Sequence, residues 1–389
     1  MSTSTITSNS RNGLTDEQID FREAIRDFAQ REAGTAEQRE KLTDGYLELH
    51  NQEIYEKLAK LGWLGVSIDE EYGGSGQGMV DACIFLEETT RGLIPIAGFG
   101  VSLIVAGAYE RFGTEEQKQE MLRGICEGRV EAIAMSEPEA GSDVGALKCK
   151  VERDNGSYVL NGQKTWISAA HLADHILVIG RSDSSGSKHE GLTMISVPTD
   201  SEGIEINGIQ TMGGKEVNDV FLTDCVVPAD RMIGQEGGGW MQLMAGLNVE
   251  RLILAATALG IAQRAFDDVL AYIKERKQFG RPIGSFQTIK HRIADLATEL
   301  ECTRLLVYDV ARKVDADPSQ MLPREASMAK LKATELAKQC SLEGMQMMGG
   351  YGYASEYDME RHVRTSLVMS IYGGTNEIQR EIVSKTYGL

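Results

Sequence analysis

The chain has 389 residues, 42% apolar and 25% charged, a globular composition with room for two or three domains and a large core. Its net charge of −18 argues against non-specific nucleic-acid binding, which needs clustered Lys and Arg to displace counterions. No run of about 18 or more apolar residues occurs, so no membrane-spanning helix is expected.

Met1 to Asn12 is rich in Ser and Thr, with Arg11 its one basic residue. It lacks the apolar centre of a secretory signal and the arginines of a transit peptide, and it reads as a disordered tail. Residues 13–132 read as a helical domain. Leu14-Thr15-Asp16-Glu17-Gln18-Ile19 is a helix start, with Thr15 and Gln18 as a capping box and Leu14 stapled onto Ile19. Phe21, Ile25 and Phe28 then share one helical face. Tyr72 to Gly78 is a glycine-rich loop, and further helices are expected over 79–91, 96–112 and 115–126.

Residues 133–236 change period from 3.6 to 2 and read as a β domain. Asn155-Gly156 between alternating segments predicts a hairpin. Short strands are expected at 175–180, 193–197, 205–210 and 220–227, and their regular spacing predicts a small β-barrel or sandwich. Residues 237–389 return to long helices, over about 240–277, 285–314 and from Pro323 to about Met348. Helix, then strand, then helix predicts an α+β fold and not alternating βαβ units.

The six cysteines (Cys83, Cys126, Cys149, Cys225, Cys302 and Cys340) form no C-x-x-C pair, so a reduced, cytoplasmic setting is expected. Glycine is abundant, at 42 residues, yet no G-x-G-x-x-G follows a strand and no Walker A pattern occurs. Any nucleotide cofactor must therefore bind without a Rossmann unit. His171 and His175 lead into a strand with no third ligand nearby, so no metal site is expected. The G-x-S-x-G elbow of serine hydrolases is missing.

Five stretches matter in combination. Ile133 to Asp143 is an apolar strand running into a polar turn. Lys164-Thr165-Trp166-Ile167-Ser168 sets a large aromatic beside hydroxyls. Glu275 to Gln287 ends one helix with basic residues and begins the next. Gln346-Met347-Met348-Gly349-Gly350 is a helix stopped by glycines. Ser370-Ile371-Tyr372-Gly373-Gly374-Thr375 is a loop, to be read with Asn248-Val249-Glu250-Arg251-Leu252. Together, in this order, they resemble the acyl-CoA dehydrogenase family from about Leu14 to Leu389.

The resemblance implies an N-terminal helical domain, a middle β domain and a C-terminal four-helix domain. It also implies non-covalent FAD and a homotetramer built as a dimer of dimers. Ile133, Met135, Ser136 and Ser142 would line the flavin and the thioester. Trp166 would pack on the flavin, with Ser168 near its reactive nitrogen. Arg276, Phe279 and Gln287 would meet the adenine and pyrophosphate, as would Gln346, Gly349 and Gly350 across the dimer interface. Thr375 and Glu377 would hold the other end of the cofactor, while Arg251 and Tyr372 would lie against the acyl-CoA substrate.

The departure from the family pattern is Gly373, where many members carry the catalytic glutamate. A minority, including isovaleryl-CoA and long-chain acyl-CoA dehydrogenases, place the base on a helix in a Glu-Arg-Leu segment. Glu250-Arg251-Leu252 matches it. Glu250 is thus the expected α-proton base, and the Gly373 N–H the expected thioester-carbonyl donor. Glu377 is a rival base, and a salt-bridge role for Glu250 is the bland alternative. Electrons would pass to an electron-transferring flavoprotein, in fatty acid or branched-chain amino acid catabolism. The alternatives are a silent partner subunit, an acyl-CoA oxidase or flavin monooxygenase, and a carrier-protein dehydrogenase on the same fold.

Overall fold

The computed structural model describes residues 13–389, so the Met1–Asn12 expectation lies outside the described residues. Helix α1 (Asp16–Ala33) opens on the reciprocal box: Gln18 N–H donates to the Thr15 hydroxyl, and Thr15 N–H donates to the Gln18 side chain at 3.1 Å. Thr35 opens α2 (Ala36–Leu42) in the same way, and α3 (Gln52–Lys60) follows. The bundle continues with α4 (Met79–Arg91), α5 (Ala97–Phe112) and α6 (Glu115–Cys126), the last boxed by Thr114 and Gln117.

The sheet contains β1 (Glu131–Ala134), β2 (Lys150–Asp154), β3 (Ser157–Ser168) and β4 (His175–Arg181). It is completed by β5 (Leu192–Pro198), β6 (Ile204–Thr211), β7 (Gly214–Pro228) and β8 (Met232–Ile233). Asn155 and Gly156, at φ +43° and +86°, make the left-handed two-residue turn between β2 and β3. The strand order is β6-β7-β3-β2-β4-β5-β8, with β1 parallel to β4. Of the barrel or sandwich expected, a closed barrel is not what the sheet forms. The ends of the sheet, β6 and β8, do not pair among the described residues, and the two-residue β8 offers too little ladder to close one. Register shifts in β3 bend the sheet without joining its edges.

The C-terminal domain begins with α7 (Gly239–Glu275), then the small hairpin β9 (Lys277–Gln278) and β10 (Arg281–Pro282). It continues with α8 (Gln287–Ala316), α9 (Pro323–Met348), α10 (Gly350–Tyr353), α11 (Met359–Val368) and α12 (Asn376–Lys385). Pro323 starts α9, where its missing N–H costs nothing. α7 is long and apolar enough by composition to cross a membrane, but 61% of its most apolar window is buried inside the protein. It packs on α9, α8 and α4 as the central core helix. Leu252, Ile253, Leu259 and Val269 are sealed there, each contributing about 1.5–3 kcal/mol by burial. A Cβ at Gly260 would fall 2.4 Å from the Glu87 carbonyl oxygen, so glycine is what lets α4 approach α7. Glu87 in turn accepts from Arg304 at 3.0 Å and Tyr308 at 2.8 Å, tying α4 to α8.

Candidate active site

The stretch 370–375 crosses from α11 to α12 and meets α7. Gly373 and Gly374 take φ of +61° and +77°, left-handed values that a side chain disfavours. Gln379 Nε2 donates to both of their carbonyls, at 3.0 and 2.9 Å. Lys330 Nζ donates to the Gly374 carbonyl at 2.9 Å and to Asn376 Oδ1 at 3.1 Å. Thr375 caps α12, accepting the Ile378 N–H at 3.2 Å. This brings the loop onto Glu250: a Cβ at Gly373 would lie 3.6 Å from Glu250 Oε1.

Glu250 is 8% exposed, and no hydrogen bond holds its carboxylate among the described residues. Burial raises its pKa, against the pull of Arg251 and Lys330. That is the direction a general base near neutral pH requires. Arg251 is buried beside it and donates to Asn248 Oδ1 at 3.2 Å. Burial lowers the Arg251 pKa and the Glu250 carboxylate opposes the fall.

Lys330 is the contributor that motif reading missed. It is wholly buried, and burial pulls its pKa from 10.5 down to about 8, opposed by Glu250, Glu335 and Glu377. A signal for it exists in the sequence. Ala326, Ala333 and Ala337 occupy the same helical face and are all buried, so Lys330 interrupts a core stripe.

On the sheet side, the Thr165 N–H donates to the Ser136 carbonyl at 2.9 Å, which sets Ile133, Met135 and Ser136 beside Trp166 and Ser168. A second missed group fixes this junction. Buried Lys164 donates to the Met135 carbonyl at 3.0 Å and to Glu137 at 2.7 Å. Glu137 also accepts the N–H groups of Lys148 and Cys149, at 2.7 and 2.8 Å. Trp166 sits at φ +62° and is 59% exposed, an outlier that costs on the order of 1 kcal/mol and turns the indole out of the sheet. Ser142 and Ser168 are exposed nearby, and Tyr372 is exposed on the 370–375 loop.

A cavity of about 680 Å³ lies where α7 ends, lined by Tyr272, Arg276, Met347, Gly349, Gly350 and Tyr351. The Arg276 guanidinium stands 5.1 Å over the Tyr351 ring. Nothing lies within 4 Å of a Cβ at Gly349 or Gly350, so their backbone is open to a ligand. Gln346 is exposed on the neighbouring turn. Phe279, 92% exposed, and Gln287 stand outside this cavity on the β9–β10 turn and the start of α8. Glu377 is exposed in the first turn of α12. This chemistry fits FAD: an uncovered indole for a flat ring, a guanidinium for a diphosphate, and open backbone for close approach.

Comparison with known proteins gives the context. Family models for the acyl-CoA dehydrogenase N-terminal, middle and C-terminal domains match residues 15–129, 132–225 and 237–388. The mitochondrial isovaleryl-CoA dehydrogenase of Arabidopsis thaliana is 36% identical over 377 residues, 95% of this chain and 91% of its own. An acyl-CoA dehydrogenase from Geobacillus kaustophilus superposes with a TM-score of 0.90 at 33% identity, covering 97% and 99% of the two chains. A chain from the Acidaminococcus fermentans electron transferring flavoprotein structure, solved to address flavin-based electron bifurcation, gives a TM-score of 0.89 at 31% identity over 96% and 98%. The chain therefore belongs to the acyl-CoA dehydrogenase family, and with it to the FAD-dependent oxidoreductases.

Proposed function

We infer that this enzyme removes two hydrogens from an acyl-CoA thioester to give the trans-2-enoyl-CoA, with Glu250 as the base. The observation that carries this reading is one buried carboxylate with no hydrogen bond, held beside a loop whose own side chain is missing at Gly373. Glu250 takes the α-proton as the α-carbon electrons form the new double bond and the β-C–H pair leaves as hydride. Bound FAD supplies the hydride acceptor. The Gly373 N–H is assigned to the thioester carbonyl, where a hydrogen bond strengthens as enolate charge develops. Gln379 and Lys330 keep that N–H in place by fixing the carbonyls of the same turn. Arg251 and Tyr372 border the acyl-CoA.

In this reading Trp166, Ser168, Ile133, Met135, Ser136 and Ser142 surround the flavin end of the site. Arg276, Gly349 and Gly350, which line one cavity, meet the adenine and diphosphate end together with Phe279, Gln287 and Gln346, this group reaching the cofactor across the dimer interface. That arrangement makes the working form an oligomer, a tetramer in keeping with the family. An electron-transferring flavoprotein is the proposed acceptor, supported by the likeness to the Acidaminococcus fermentans chain. A branched short acyl group is the proposed substrate class, supported by the likeness to an isovaleryl-CoA dehydrogenase; the helix-borne acid fits branched short and long chains alike.

The test is Glu250→Gln in the FAD-loaded protein. The variant is expected to keep its flavin and to lose bleaching by isovaleryl-CoA under anaerobic conditions. The proton-transfer contribution at stake is about 100- to 10,000-fold in rate. Bleaching at the native rate would refute the assignment.

A further inference from the structure

Leu254 lies one turn beyond Glu250 on the same face of α7. Its neighbours Leu252, Ile253, Ala255 and Ala256 are all buried, yet Leu254 is only half-buried and belongs to neither hydrophobic cluster. It stands against the loop instead. A Cβ at Gly373 would lie 2.1 Å from Leu254 Cδ1, where ordinary contact begins at 3.4 Å. The same Cβ would clear Glu250 Oε1, at 3.6 Å.

We propose that Leu254 is a positioning residue that decides which element carries the base: its δ-methyl occupies the volume a side chain at 373 requires, leaving α7 as the place for the acid. This rests on the assignment of Glu250 as base. Two barriers then guard position 373. The left-handed φ of +61° strains any L side chain there, and the leucine methyl blocks its first carbon. Leu254 is half-buried and can change rotamer; in this proposal the room it turns into is the opening beside Glu250, which the acyl group needs in the proposed reaction. A side chain at 373 and a substrate thus compete through Leu254.

The test compares FAD-loaded Glu250→Gly, Glu250→Gly/Gly373→Glu and Glu250→Gly/Leu254→Ala/Gly373→Glu by anaerobic flavin bleaching with isovaleryl-CoA and butyryl-CoA. The double variant is expected to bleach no faster than Glu250→Gly, and the triple variant at least about 10-fold faster, a difference of about 1.4 kcal/mol in barrier. A second readout needs neither flavin nor substrate. In the apoprotein, Gly373→Ala and Leu254→Ala are each expected to lower the thermal midpoint. Combined, they should lower it by less than the sum. Equal rates in the double and triple variants, or additive midpoint shifts, overturn the proposal. Native bleaching by Glu250→Gly would instead sink the base assignment, and the thermal cycle would still report on the Leu254–Gly373 contact.

Discussion

Replacing Lys330 with Met keeps the length of the side chain and removes its charge and its donors. Two bonds are lost, to the Gly374 carbonyl and to Asn376. Each acceptor keeps one other partner, Gln379 Nε2 at 2.9 Å and Thr334 Oγ1 at 3.0 Å. The two losses together cost on the order of 3 kcal/mol. Against this, burial displaces the lysine pKa from 10.5 to about 8, so holding the cation inside costs on the order of 3 kcal/mol as well. The terms nearly cancel, and the midpoint of Lys330→Met is expected to stay within a few degrees of native. Because the folded pKa is depressed, the unfolded chain binds the proton more tightly, and native stability rises as pH goes from about 8 to 10.5. The variant should lose that rise. Activity responds differently. Removing a positive charge that faces Glu250 pushes the carboxyl pKa higher still, so the acid limb of the kcat/KM profile should move to higher pH. The assays are thermal melts from pH 7 to 10.5 and kcat/KM against pH with isovaleryl-CoA and a dye acceptor. A steep fall in midpoint with an unmoved acid limb would refute the reasoning and leave Lys330 as packing alone.

Glu250→Gln should not destabilise the protein at pH 8. The raised folded pKa gives stability that is present below the ordinary 4.5 and lost as pH rises through the folded value, so the variant's advantage should open across that window and vanish below it in pH-dependent melts. Glu137→Ala strands a buried lysine and two N–H groups, and urea titration should show a loss of about 3–5 kcal/mol. Phe279→Ala removes a ring that is 92% exposed in the single chain, so the monomer's stability should hold. Sedimentation should then show weakened assembly together with easier loss of FAD, and unchanged sedimentation would count against the proposed subunit contact.

Much of the fold is local chemistry and was legible before any coordinates. The Thr15–Gln18 box, the Asn155-Gly156 turn and the Pro323 start each need only neighbouring residues, and each is where the sequence placed it. The three-part order of helices, sheet and helices follows from hydrophobic period alone. The sheet's failure to close was not legible, because closure depends on pairing between strands far apart in the chain. The same limit governs the site. Gly373 and the Glu-Arg-Leu segment could be read as motifs, but that they meet required α7 to pack beneath the loop. Lys330 and Lys164 carry no motif of their own, and a lysine in a strand or helix is usually exposed. Only the tertiary structure decided that both are buried with oxygen partners, because a long-range carbonyl or carboxylate has no trace in local spacing. Sequence thus determined which elements form and which side chains could do chemistry, while packing decided which of them face one another, because burial and charge pairing are properties of contacts between distant segments.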